Sequence, residues 1–314
     1  MNKIKTVFLA VLSLLVCSAF VEAQTAGAPA KEKETIAVSK IAPTPALEKK
    51  LSRNPAEAES LGIVSESLSG LLAIALQKTN RFNVVTRDSQ GLSAMQEEQA
   101  FVESGNVDRS DKYAARAGKM RGAKYAVTTT IYDFSDNSET KRFATLGKTK
   151  TRRDLRFNVT VKITDTTTGE IKATDRFESK SNTQAVSGIN SDSDTDEYVT
   201  ELAEDVADKI AIFVADTIVP PRVIGKTGKR VTINRGQGSG IAVGQVWEIY
   251  TPGVEMIDPD TGENLGAEEI PVGKISIIQV TPKFSVGNAS EDFGIERNAI
   301  ARRVKNKTKS ASKK

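Results

Sequence analysis

The chain is predicted to be α+β, with an α/β domain of mixed sheet and packed helices followed by a small all-β barrel. Three observations predict it. Helical periodicity and strand alternation interleave as far as Ile218, two prolines then stand together at Pro220 and Pro221, and only short strands punctuated by glycine follow. A chain of 314 residues is long enough for two cores of this kind.

Before the first fold element lies a segment with the layout of an export signal. Lys3 and Lys5 precede the apolar run Val7 to Val16, and Val21-Glu22-Ala23 offers short side chains before Gln24, so cleavage is expected after Ala23. The run is shorter than the roughly 20 residues of a spanning helix, and no transmembrane span is expected later. The single cysteine, Cys17, falls in this segment, so no disulfide is expected in the mature chain. Val16 stands before Cys17 where lipoprotein signals carry a small residue, which leaves lipidation at Cys17 as the less favoured alternative to simple cleavage. Residues 24–34 are small, charged and without apolar period, and read as a flexible leader.

The α/β domain is expected over 35–218. Ile36, Val38 and Ile41 suggest a strand ended by Pro43 and Pro45. Leu61, Val64, Leu68, Leu71, Leu72, Ala75 and Leu76 recur at three- and four-residue spacing, the mark of an amphipathic helix on a sheet. A strand at 82–86, helices at 93–103 and 110–122, and a strand at 124–134 follow. Leu155, Phe157, Val159, Val161 and Ile163 alternate with polar residues, predicting a strand with one dry face. The turn at 165–170 returns it as the strand 171–179. The closing helix, 196–218, carries the stripe Val199, Leu202, Val206, Ile210 and Phe213. Beyond the prolines, strands are expected at 230–234, 245–250, 272–280 and 299–304, forming the barrel of 219–304. The lysine-rich 305–314 reads as a disordered tail.

The formal charge of +4 is a property of the ends. Without Lys3, Lys5 and the seven basic residues from Arg302 onward, 35 basic residues face 40 acidic ones. A nucleic-acid partner, which asks for a basic face on a folded domain, is not expected. The chain has no histidine, which removes histidine-based triads, metal sites and pH switches. No nucleophile stands with a base at a known spacing, so no catalytic residue and no cofactor are assigned and the protein is not expected to be an enzyme.

The remaining motifs are weak. Asp192, Asp194 and Asp196 alternate as in a calcium loop, but Glu197 and Ala203 stand where that loop needs Gly and Glu. Asp258 and Asp260 are a second weak metal candidate, read more simply as a hairpin turn with Gly262 at positive φ. Gly236, Gly238, Gly240 and Gly244 are followed by strand-like VGQVWEIY rather than by the helix that a phosphate loop needs. Trp247 is expected in the core, with interface anchoring as the alternative.

Certain segments taken in order carry a family resemblance. They are IAVSKI at 36–41, LGIVSESLSGLLAIALQKT at 61–79, RFNVVTRD at 81–88, the EEQ of Glu97 to Gln99, SGNVD at 104–108, MRGAKYAVTTTI at 120–131 and FNVTVKITDTTTGEI at 157–171. Over about 35–218 the chain resembles the CsgG-like family, which holds the curli secretion channel and soluble LpoB-like relatives. VTINRGQGSGIAVGQVWEIY at 231–250, DPDTGENLG at 258–266 and VGKISIIQV at 272–280 resemble the C-terminal domain of the flagellar assembly protein FlgT.

The resemblance implies a periplasmic assembly or regulatory factor, peripherally associated with the outer membrane, that works by contact with envelope or surface-appendage proteins. A subunit of an outer-membrane secretion complex is the alternative, a carboxylate-only hydrolase a second, and a homo-oligomer is left open. The channel of this family inserts hairpins between core strands. The corresponding segments here, 135–154 and 179–196, lack an apolar band and are expected to be flexible polar surfaces rather than a pore.

Overall fold

The computed structural model describes residues 32–304, apart from 86, 88, 107, 109, 111–114, 116–119, 144–147, 188–193 and 263. Two sheets of six strands organise them. The first has the path β3 (Phe82–Val85), β1 (Glu34–Val38), β4 (Tyr125–Phe143), β5 (Lys148–Asp165) and β6 (Ile171–Ser187), with the two-residue β2 (Ala42–Pro43) beside β4. β1 runs parallel to both β3 and β4, whereas β4, β5 and β6 are antiparallel. The sheet is therefore mixed, as expected.

Two long helices cover one face. α2 (Pro55–Lys78) packs beside α4 (Asp194–Ile218), and together with the sheet they enclose Ile36, Leu68, Leu72, Val127, Phe157, Val161, Val206 and Ile210. Each aliphatic side chain so enclosed contributes roughly 1.5–3 kcal/mol. α2 is long and apolar enough to cross a membrane by length and composition, but its stripe of Leu61, Val64, Leu68, Leu72 and Leu76 is already buried in this core.

The prolines near the N-terminus act differently from the expectation. Pro45 opens a helix, α1 (Pro45–Leu51), at whose start the Thr44 hydroxyl accepts from the Leu47 amide at 3.3 Å. Asn54 and Pro55 repeat the arrangement for α2, which begins well before Leu61. Proline suits a first helical turn because its missing amide hydrogen would lack an acceptor there anyway. α3 spans Ser89–Glu103, four residues longer at its start than expected. The helix expected over 110–122 falls mostly outside the described residues, and 120–123 have no regular structure.

The larger correction concerns 135–154 and 179–196. β4 and β5 pair without interruption from Tyr125↔Asp165 to Phe143↔Lys148, broken only by a bulge at Tyr132, and β6 accompanies β5 as far as Ser187↔Thr149. Within these segments, expected to be flexible, 135–143, 148–154 and 179–187 are thus strand, 194–196 open α4, and 144–147 and 188–193 lie outside the described residues. Backbone pairing supports the strands where side-chain burial does not.

The second sheet is antiparallel, in the order β12 (Ile300–Arg303), β9 (Val246–Ile257), β10 (Asn264–Val280), β11 (Ser285–Asp292), β8 (Arg230–Ile233) and β7 (Val223–Thr227). β7 and β11 are strands that the sequence reading did not resolve. The end strands meet at one bridge, Arg222↔Ile300, instead of a full ladder, so the expected barrel is a curled sheet without complete closure. Its core holds Trp247, Ile249, Ile275, Ile277 and Ile233, with Trp247 inside as expected.

Candidate protein-interaction surface

Where the helices stop, the first sheet does not. Under the helices, Phe134 meets Phe157 edge-on at 6.3 Å. Two residue pairs further, Asp136 lies across from Leu155, and beyond it polar residues take over. Arg153 grips the Asp136 carboxylate with two nitrogens, Ser60 of α2 donates to it at 2.9 Å, and the Asp136 amide donates to Glu57 at 3.3 Å. Burial opposes ionisation of Asp136, but the hydrogen bonds from Arg153 and Ser60 outweigh it and hold the carboxyl below its usual range. This knot ties the start of α2 to the last supported row of the sheet.

Beyond the knot, β4, β5 and β6 run on as a three-stranded ribbon. Across one face lie Ser135, Arg156 and Lys180, then Asn137, Asp154 and Asn182, and then Glu139 and Arg152, followed by Lys141. Exposed ion pairs thread the rows: Arg152 with Asp154 at 3.0 Å, Lys141 with Glu139 at 3.4 Å and Lys180 with Glu178 at 2.7 Å. Such pairs add little stability in water. Among the described residues the outer edge of β6 pairs with no other strand of the sheet.

The second sheet has its own projection. β12 pairs with β9 only over 247–250, and β11 pairs with β10 only from Gly273 on. Between these limits, 251–257 and 264–271 pair with each other alone, forming an arm. Asp258 turns the tip: its carboxylate accepts from the amides of Asp260 at 2.8 Å and Thr261 at 3.3 Å, and these bonds hold its pKa down.

Residues 236–240, between β8 and β9, join the second sheet to the helices. A side chain at Gly238 would strike the Lys78 carbonyl at the end of α2, and Gly240 lies against Ile212 of α4. Arg235, wholly buried, donates to the Ala215 and Val219 carbonyls and to Asp216 at 3.1 Å. It gives the Val219 carbonyl, just past the helix end, a donor and adds a second one to the Ala215 carbonyl, which already accepts from the Val219 amide at 3.0 Å. Burial pulls the pKa of Arg235 down and pushes that of Asp216 up, with their mutual attraction opposing both. Arg81, close by, is lowered to about 10, mainly by burial and then by Arg235. Arg303 stacks over Trp247 at 5.3 Å and donates to the Gly240 carbonyl at 2.8 Å.

Asp258 is spent on its turn, Asp260 is exposed, Asp194 and Asp196 stand in the first turn of α4, and Asp192 lies outside the described residues. Among the described residues no group of three acidic or sulfur ligands could hold a metal ion. Of the glycines in the run that resembles a phosphate loop, Gly236 lies against Pro282, Gly238 against the end of α2 and Gly240 against Ile212 of α4, while Gly244 has open space around it.

The model of the curli production assembly/transport component CsgG family matches residues 17–217, well over half of the chain. The chain belongs to this family. Membership sets the protein among envelope proteins of assembly and secretion, a family without catalysis. The match ends before the second sheet begins. No curated protein matches the chain significantly.

Solved structures similar to it include protein XCC0632 from Xanthomonas campestris, at 9% identity over 61% of this chain and 89% of that one with a TM-score of 0.30. The PelC dodecamer from Paraburkholderia phytofirmans is similar at 15% identity over 55% and 86%, TM-score 0.24. Protein CT253 from Chlamydia trachomatis is similar at 12% identity over 60% and 99%, TM-score 0.31.

Proposed function

We propose that the protein is a periplasmic, non-enzymatic assembly or regulatory factor that acts by protein contact, peripherally at the outer membrane. The observation that carries this reading is the β4–β6 ribbon. A sheet normally ends where its covering helices end, because strands without a buried face gain little. Here the strands continue past the Asp136–Arg153 knot with polar side chains and an open β6 edge. An open edge is a template for strand addition by a partner, with backbone bonds giving affinity and alternate side chains giving selectivity.

The same ribbon favours one further reading, a subunit docked on an outer-membrane secretion complex. Both readings require export, with cleavage after Ala23 or lipidation at Cys17, and N-terminal sequencing of the envelope-extracted protein separates these two.

The test is in-cell photo-crosslinking of the full chain. A photoreactive residue at exposed Asn182 on β6 is expected to capture a discrete envelope protein, and one at exposed Lys49 on α1 is not. Capture of an outer-membrane secretion component selects the second reading. Equal capture from both positions, or none from Asn182, overturns the assignment of the ribbon.

A further inference from the structure

Three arginines from separate parts of the chain face one carboxylate where the second sheet joins the helices. Arg81 follows the end of α2, Arg235 follows β8, Arg303 closes β12, and Asp216 lies in the last turn of α4. The charges of Arg235 and Arg303 favour the ionised form of Asp216, whose own charge favours the cation at Arg81. Arg302 also acts on Asp216 but is bound to Glu269. Among the described residues Asp216 is the carboxylate that acts on both Arg81 and Arg235, so three cations against one anion leave two positive charges without a counterpart.

Two donors in this cluster lack an acceptor. Arg235 is wholly buried, and while its Nε and Nη2 are engaged, its Nη1 has no partner. The Nε of Arg81 is also buried and unpaired. A buried charged donor without an acceptor is costly and rare in a native fold, and a bound ion is one of the few things that accounts for it. The backbone forces the two groups together: Gly238 brings the loop after Arg235 against the Lys78 carbonyl, three residues before Arg81. Arg81 is only partly buried and the Asp216 side chain is 36% exposed, so the cluster reaches solvent.

We propose that this junction binds a phosphate group, held between Arg81 and Arg235. A doubly charged oxyanion matches the surplus of two cations, and its several oxygens can accept from both unpaired donors. Guanidinium groups suit it because their planar fork presents parallel N–H bonds to phosphate oxygens. A carboxylate would meet only half of the charge. The glycine run supplies close approach here and not a cradle of amides. Free phosphate, a soluble phosphate ester and a lipid headgroup all carry the same group. The site shares no residue with the β4–β6 ribbon and is independent of what that surface binds.

Calorimetric titration of the full chain with inorganic phosphate at fixed ionic strength tests it. Saturable binding is expected, weakened about tenfold or more by Arg81→Gln, which removes charge-assisted hydrogen bonds, and unchanged by Lys49→Gln on exposed α1. Thermal melts give a second reading. Without phosphate, Arg81→Gln is expected to melt at or above the wild type, because it removes an unpaired buried donor and a like charge beside Arg235. With phosphate, the wild type is expected to rise and the variant to lag behind it. An Arg81 that merely supports the fold would instead lower the melting temperature of the variant without phosphate, and that result overturns the proposal. So does an absence of binding, binding that survives Arg81→Gln, or an equal rise in both proteins, which is the general effect of an excluded salt. Vesicles of phosphatidylcholine with phosphatidic acid separate the sources. Sedimentation with them that Arg81→Gln abolishes assigns a lipid headgroup, and phosphate binding without sedimentation assigns a soluble phosphate.

Discussion

Arg235, on the loop after β8, ends 3.1 Å from the carboxylate of Asp216 with its guanidinium wholly enclosed by the end of α4 and the second sheet. One side chain thus fastens the second sheet to the end of α4. Removing it leaves Asp216 and the Val219 carbonyl without this donor.

Arg235→Ala is therefore expected to destabilise the protein by about 3 kcal/mol, the lower end for breaking a buried ion pair, because Asp216 is partly exposed and can rehydrate. Arg235→Lys is expected to recover less than half of this, as an ammonium cannot serve Asp216 and the carbonyls with one planar fork. Urea unfolding followed by Trp247 fluorescence and by helix circular dichroism measures it. A loss below about 1 kcal/mol for the alanine variant would mean that the clasp is dispensable.

The Asp136 knot predicts a pH dependence of definite sign. Its carboxyl is held below the ordinary value of 3.8 in the fold, so its contribution is present in full above the unfolded value and is lost as pH falls through the folded one. The stability difference between the wild type and Asp136→Asn is expected to be largest near neutrality and to shrink below about pH 4. Urea midpoints of both proteins across that range decide the matter, and a difference independent of pH refutes the role of the charge.

Two glycines should respond oppositely to alanine. Gly238 has φ +77° and would press a Cβ against the Lys78 carbonyl at 2.7 Å, so Gly238→Ala is expected to cost about 1–3 kcal/mol. Gly70 lies inside α2 with open space around it, and Gly70→Ala is expected to stabilise by up to about 1 kcal/mol. Thermal melts of the pair check both signs at once.

The protein alone is expected not to conduct ions across a planar bilayer. Each Lys or Arg facing lipid near the midplane costs about 2–4 kcal/mol. Arg152 and Arg153 are successive strand positions, so both faces of the ribbon carry charge. Discrete single-channel steps from the purified protein would show that the ribbons enter lipid.

The sequence announced elements that bury one face and hid those that do not. The three-and-four spacing of Leu61 to Leu76 and the alternation of Leu155 to Ile163 are signals of burial, and both segments form as expected. The far halves of β4, β5 and β6 are polar where described, so they have no apolar period to read; register with a neighbour holds them, and register is a tertiary property. Thr44-Pro45 and Asn54-Pro55 carry a helix-start signal, but a proline such as Pro45 after the strand-like run at 36–41 reads equally as a strand stop. Arg235 gave no signal at all, since a single arginine after a strand does not reveal that a helix end waits for it.

The Ala301 amide donates to the Pro221 carbonyl at 2.9 Å, and Arg222 bridges Ile300, so the second sheet starts and finishes at the same spot. Its first and last strands are thereby tied to each other beside the end of α4. The family match stops at residue 217, just short of that tie. The same geometry suits protein engineering, because a foreign domain whose ends lie together could be hung from α4 in its place, provided it brings a cation to the helix end where Arg235 now sits.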